Sequence, residues 1–216
     1  MIKSKAWDWK VAKAPWWKKP SPEVYPLIKR WQKQGLKKIL DLGCGLGRHS
    51  ILFAQKGFEV DAFDLSESGI EELKETIKKQ KLPIRLKVGD MLSLPYKDNS
   101  FDCLLAYHVV YHTDEKGIEK TIKEIKRVLK PEGEFFLDFN SKNSSAFKDK
   151  RNKHVSGNVL FKTEGHETGI PHYYADKKDV KNLLEDFEII KLVHREKSFP
   201  DNYQSAYYFV LGKNKK

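Results

Sequence analysis

The chain has 216 residues, 39% hydrophobic and 33% charged, enough to bury one sizeable core in a single domain. Its mean hydropathy is -0.64 and no apolar run approaches the ~20 residues that cross a bilayer, so no membrane span is expected. The net charge of +11 is uneven: residues 1–40 carry +9, residues 213–216 carry +3, and residues 41–212 balance to -1.

The first twenty residues mix Lys3, Lys5, Trp7, Asp8, Trp9 and Lys10 and lack the apolar middle of a secretory signal. Cys44 and Cys103 are too few for a disulfide framework and have no Cys or His at ligand spacing beside them. A cytoplasmic protein with two buried thiols and no metal is expected. All five tryptophans (Trp7, Trp9, Trp16, Trp17, Trp31) lie in the basic leader, an interleaving that can stack bases and track phosphates, or lie at a membrane surface. Lysines nevertheless outnumber arginines 35 to 6, a general lysine habit rather than a selection of arginine forks for phosphate. We therefore expect residues 1–35 to be a cap segment and helix packed on a domain at residues 36–216.

Ser21-Pro22-Glu23 reads as a helix start before Tyr25, Leu27, Ile28 and Trp31, with Gly35 as the stop. Lys37 to Leu42 reads as a short apolar strand, followed by a glycine turn and a helix through Ile51–Ala54 to Gly57. The alternation continues with strands at 59–64, 84–88, 101–106 and 134–139. Helices are expected at 66–79 and along the face of Ile118, Ile122, Ile125, Val128 and Leu129. Residues 141–175 break the rhythm and read as a lid-like excursion beyond the sheet. A helix at 177–185 capped by Asp176 follows, then a hairpin of strands near 188–194 and 204–211. The pattern is α/β, an open, doubly wound, mostly parallel sheet.

In such a sheet ligands bind beyond the carboxyl ends of the strands. The first strand ends in Asp41-Leu42-Gly43-Cys44-Gly45-Leu46-Gly47, and the next in Asp64, 21 residues after Gly43, as an acid gripping a ribose diol should be. A nicotinamide dinucleotide would need Gly or Ala at the place of Arg48, and Asp41 would repel its phosphates. Gly89-Asp90-Met91 ends the third strand with a carboxylate and a thioether able to pack on a ring. Three acids without a phosphate-binding lysine describe a ligand with a nucleoside and a positive charge.

On these residues the chain resembles the class I S-adenosylmethionine-dependent methyltransferases over roughly residues 36–140. The loop Asp41 to Gly47, the ribose acid Asp64 followed by Leu65, and the pair Asp90-Met91 carry the likeness. The strand Phe101–Ala106 and the helix exit Arg127–Gly133 extend it. The resemblance implies a Rossmann-like, seven-stranded sheet with an antiparallel last strand. It also implies S-adenosylmethionine as cofactor, held by Asp41, Gly43, Gly45, Gly47, Asp64, Leu65, Asp90, Met91 and Tyr107.

The acceptor is less legible. The acidic or Asn residue with Pro-Pro that DNA amino-methylases carry after the fourth strand is absent from Tyr107-His108-Val109-Val110-Tyr111-His112-Thr113. Orientation supplies much of the rate of an in-line methyl transfer, with one base where the acceptor is an OH or NH. His108, His112 and His172 are the candidate bases, His108 leading by its place at the strand end. Trp16, Trp17, Tyr111 and Tyr173 are the candidate pocket wall. A small-molecule acceptor is expected, and the plan is similar to the tellurite- and thiopurine-methylating branches. Two alternatives stand: an RNA or protein methyltransferase guided by the basic leader, and a binding module without catalysis.

Overall fold

The computed structural model describes residues 4–11, 14–164 and 167–216. Short 3-10 turns at Trp9–Val11 and Pro15–Lys18 precede helix α1 (Val24–Lys33). There follow β1 (Lys38–Leu42), α2 (Arg48–Gln55), β2 (Glu59–Asp64), α3 (Glu67–Gln80), β3 (Ile84–Val88), β4 (Phe101–Ala106), α4 (Glu115–Val128) and β5 (Leu129–Ser141). The excursion holds α5 (Ser145–Lys148), β6 (Lys153–His154), β7 (Val159–Phe161) and β8 (Pro171–Ala175); α6 (Lys177–Leu183), β9 (Phe187–Ser198) and β10 (Gln204–Asn214) close the chain.

Seven strands stand in the order β3-β2-β1-β4-β5-β10-β9, with β10 antiparallel to both β5 and β9, as the resemblance implies. Among the described residues the sheet has ten strands, however, not seven. The expected strand 134–139 runs on to Ser141, and its end pairs in parallel with β8, Asn140 against Tyr174 and Ser141 against Ala175. β7 and β6 then add antiparallel beyond β8. All five residues of β8 are buried, which is why the excursion stays on the sheet instead of leaving it.

Alternate residues of each strand feed opposite faces. Leu40, Leu42, Leu104, Ala106, Leu137 and Phe139 meet Ile118, Ile122 and Ile125 of α4 on one face. Ile39, Val60, Cys103, Leu105 and Phe136 meet Val24, Leu27, Ile28 and Trp31 of α1 and Leu52 and Phe53 of α2 on the other. Helix α1 is thus one layer of the core. Its Trp31 ring stacks on Phe53 of α2 at 5.7 Å. The buried Glu134 of β5 bolts the helix down, accepting bonds from Arg30 (2.8 and 2.7 Å), Trp31 Nε1 (2.9 Å) and Gln34 (2.9 Å).

Ser21 is not the cap of this helix. Pro22 and Glu23 form a turn, Val24 N–H bonds to the Ser21 carbonyl, and the Ser21 N–H donates instead to Nε2 of the buried His49, 3.2 Å away. Burial lowers the His49 pKa to about 3, so the ring is a neutral acceptor. The later helices start on side-chain caps: Ser66 for α3, Asp114 for α4, and Asp176 in a reciprocal capping box with Asp179 for α6. Among the described residues no helix is long and apolar enough to cross a membrane.

Candidate functional site

The carboxyl ends of β1 to β4 open into a cavity. Leu42, Gly43, Asp64, Leu65, Asp90 and Met91 line it together with His108, Tyr111, His112, Glu167 and Tyr207. The leader roofs it with Trp7, Trp9 and Trp17, whose rings lie 5.5 to 6.0 Å apart.

The loop after β1 turns on glycines in the left-handed region. Gly43 has φ +70, and a Cβ there would collide with Val109 at 2.3 Å. Gly45 has φ +53, and a Cβ would meet the Trp9 indole at 2.4 Å, so the leader rests directly on this loop. Asp64 holds the loop in shape: Oδ2 accepts the Gly45 N–H and Oδ1 the Ser66 N–H, each at 2.7 Å. Burial raises the Asp64 carboxyl, against these two bonds, which lower it. Asp64 is therefore a turn cap and a cavity wall at once.

Asp41 lies beneath the loop, 1% exposed, where it accepts the Ser50 hydroxyl at 2.5 Å. Burial pushes its pKa up to about 6, opposed by Ser50 and by Arg48. Asp90 accepts the Leu92 N–H at 2.9 Å while facing the cavity, with the buried Met91 beside it.

His108 occupies the left-handed region at φ +57, a conformation that costs a non-glycine residue about 1–3 kcal/mol unless its surroundings impose it. They do. The fully buried Asp138 of β5 accepts the His108 backbone N–H and faces its ring Nδ1, both at 2.6 Å. A carboxylate beside Nδ1 places the proton there and leaves Nε2 as the free acceptor.

The candidate residues do not all meet at this cavity. Gly45 and Gly47 shape the loop behind Trp9 and Leu73, and Asp41 lies under it. Tyr107 points away from the cavity: its hydroxyl donates to Glu23 at 3.3 Å and the Arg48 guanidinium covers its ring at 5.6 Å. Trp16 is 64% exposed and outside the wall, while Tyr173 is buried in the core with its hydroxyl on Asn158 at 3.1 Å. His172 is fully buried behind the wall, its ring 4.9 Å from that of His112.

Trp7, Trp9, Asp138, Glu167 and Tyr207 belong to the site without having been singled out in the sequence. Asp138 had a readable signal, a charge inside the apolar run Phe135-Phe136-Leu137-Asp138-Phe139, and Trp7 and Trp9 had a coarser one in the tryptophan-rich leader.

The family described as methyltransferase domain matches residues 39–133. A protein named as a methyltransferase in Geobacillus sp. (strain WCH70) is 31% identical over 120 residues, covering 55% of this chain and 48% of its own length. The norajmaline N-methyltransferase of Rauvolfia serpentina is 37% identical over 98 residues, covering 44% of this chain and 33% of its own length. The chain thus spans about half the length, or less, of the curated relatives it first matches. Among solved structures, an S-adenosylmethionine-dependent methyltransferase from Methanosarcina mazei superposes with a TM-score of 0.75 at 22% identity, covering 91% of this chain and 98% of that one. Glycine loop, strand-end acids, strand order and these likenesses agree: residues 39–133 match a methyltransferase domain, set in a fold shared with solved S-adenosylmethionine-dependent methyltransferases.

Proposed function

We propose that this chain transfers a methyl group from S-adenosylmethionine to a small-molecule acceptor, with His108 as general base oriented by Asp138. The observation that carries the reading is the His108 Nδ1 to Asp138 Oδ2 distance of 2.6 Å at the wall of the cavity that Asp64 and Asp90 also line.

The residues fit the cofactor. Loop glycines admit a ligand against the backbone, Asp64 and Asp90 present carboxylates to ribose hydroxyls and the purine edge, and Phe63 and Met91 offer apolar faces. Asp41 and Asp64 make the loop region favourable for a cation. S-adenosylmethionine, when bound, supplies a methyl group activated on a sulfonium.

Nε2 of His108 takes the proton of an acceptor hydroxyl or amine, and Asp138 stabilises the imidazolium that forms. Tyr111 and Tyr207 confine the acceptor, and the tryptophan roof keeps water from competing with it. A small acceptor suits this roof, because Trp7, Trp9 and Trp17 pack on one another and over the cavity. Of the leader tryptophans only Trp16 is left as an exposed large surface. The buried free thiols Cys44 and Cys103 suit a reducing, cytoplasmic setting.

Calorimetric titration with S-adenosylhomocysteine, followed by a screen of small phenols, amines and thiols with S-adenosylmethionine, tests the reading. Cofactor binding with turnover of a small acceptor supports it. Binding with turnover only on RNA or protein would replace the acceptor, and no binding would leave a fold without the activity.

A further inference from the structure

At the cavity wall three ligand-type side chains converge from distant parts of the chain. Nε2 of His112 lies 3.5 Å from Oε1 of Glu167, and Nε2 of His172 lies 3.3 Å from Oε2 of the same carboxylate. One ligand atom from each residue falls within 4.8 Å of the others. A backbone bond from Tyr173 N–H to the Tyr111 carbonyl, 2.7 Å long, clamps β8 to the segment after β4 and so brings the two histidines together.

These contacts are poor as hydrogen bonds and good as a coordination shell. Both Nε2 atoms are buried and make no hydrogen bond. Nδ1 of His172 donates to the Ile170 carbonyl at 2.8 Å, so in the neutral ring Nε2 is a lone pair aimed at a carboxylate, which is repulsive. An anion facing two imidazole nitrogens calls for a cation between them.

The geometry points to a binding site for a divalent transition cation of the zinc class, formed by His112, Glu167 and His172. A tetrahedral centre with arms of about 2.05 Å has ligand–ligand edges of about 3.3 Å, comparable with the approach of each histidine to one of the two oxygens of Glu167. The Ile170 carbonyl on Nδ1 is the outer partner that metal-binding histidines commonly have. Lys162, whose ammonium touches Glu167, holds the cation's place without it and can swing to solvent on its flexible stem. Three protein ligands leave a coordination position, and since His112 and Glu167 line the cavity, that position opens into it. There it takes an oxygen or sulfur donor and lowers the pKa of a hydroxyl or thiol bound to it.

The ligands lie 55 and 5 residues apart in the chain, a spacing that belongs to no short metal motif, so a sequence reading expects none. The site stands independently of the methyl-transfer reading.

The test uses the untagged, chelator-treated full chain titrated with Zn²⁺ and Co²⁺, with bound metal counted per chain and the Co²⁺ ligand-field spectrum recorded. One ion per chain with the intense bands of a four- or five-coordinate centre is expected. Glu167→Gln and His112→Ala, both shown folded by circular dichroism, should each weaken binding by more than about 100-fold, since loss of outer partners alone costs 10–100-fold. Absence of stoichiometric uptake by the wild type, or uptake unchanged in both variants, overturns the site. Titration of the same samples with S-adenosylhomocysteine separates the two readings, because either ligand can fail to bind while the other binds.

Discussion

The ring Nδ1 of His108 stands 2.6 Å from Oδ2 of Asp138, a carboxylate with no exposed surface in the middle of β5, while Oδ1 of the same group takes the His108 backbone N–H. One carboxylate thus fixes both the strained backbone and the tautomer of the candidate base. His108→Ala should lower kcat by about 10²–10⁴-fold on a hydroxyl or amine acceptor and leave S-adenosylhomocysteine affinity nearly unchanged. Asp138→Asn should reproduce most of that loss through the wrong tautomer. Steady-state kinetics beside calorimetry checks both, and full activity of His108→Ala would demote the residue to pocket wall.

Asp64 carries two burdens, and its removal should show both. Asp64→Ala should weaken S-adenosylhomocysteine binding by about 1–3 kcal/mol through lost charge-assisted bonds. It should also lower the unfolding free energy by about 1–2 kcal/mol, because the Gly45 and Ser66 N–H groups lose their acceptor. Calorimetry and urea unfolding read the two effects separately, and unchanged affinity would take Asp64 out of the binding site.

Asp41 should leave a signature in the pH dependence of stability. Its pKa rises from 3.8 to about 6 on folding, so the folded state holds the proton longer. The stability this confers is complete below pH 3.8 and is lost as pH rises through about 6, a change of about 3 kcal/mol. Asp41→Asn should flatten that window. Urea unfolding of both proteins at about pH 4 and about pH 7 measures the difference, and parallel curves would refute it.

Glu134 should matter to folding rather than to chemistry. Glu134→Ala strips the acceptor from Arg30, Trp31 and Gln34 and should cost about 3 kcal/mol. That is the low end for a broken buried ion pair, since the Arg30 side chain is 38% exposed and can reach water. Tyr25→Ala, on the exposed side of the same helix, should stay within about 0.5 kcal/mol. Equal effects in denaturant unfolding would mean that α1 is not held through Glu134.

The strands were readable because their signal is local. β2, β3 and β4 have the bounds that apolar alternation and turn residues imply, and the loop acids and glycines stand at those strand ends by chain order alone. The cap residue Asp176 was readable for the same reason, since its partners lie within three residues.

What was illegible depends on contacts between distant residues. Lys130 to Gly133 read as a helix exit, yet β5 starts at Leu129 because Phe101 pairs with it across a register shift. The excursion joined the sheet only because β5 runs past Phe139 to receive β8. The order of the five tryptophans in the chain does not distinguish Trp9, set on Gly45, from Trp16, left in solvent. Nor does composition distinguish His108, bound to a carboxylate 30 residues away, from His112 and His172, gathered around Glu167. Periodicity and glycine spacing carry secondary structure and the cofactor loop; the partners of a histidine are set by which strands lie side by side, and that follows from burying both faces of the sheet at once.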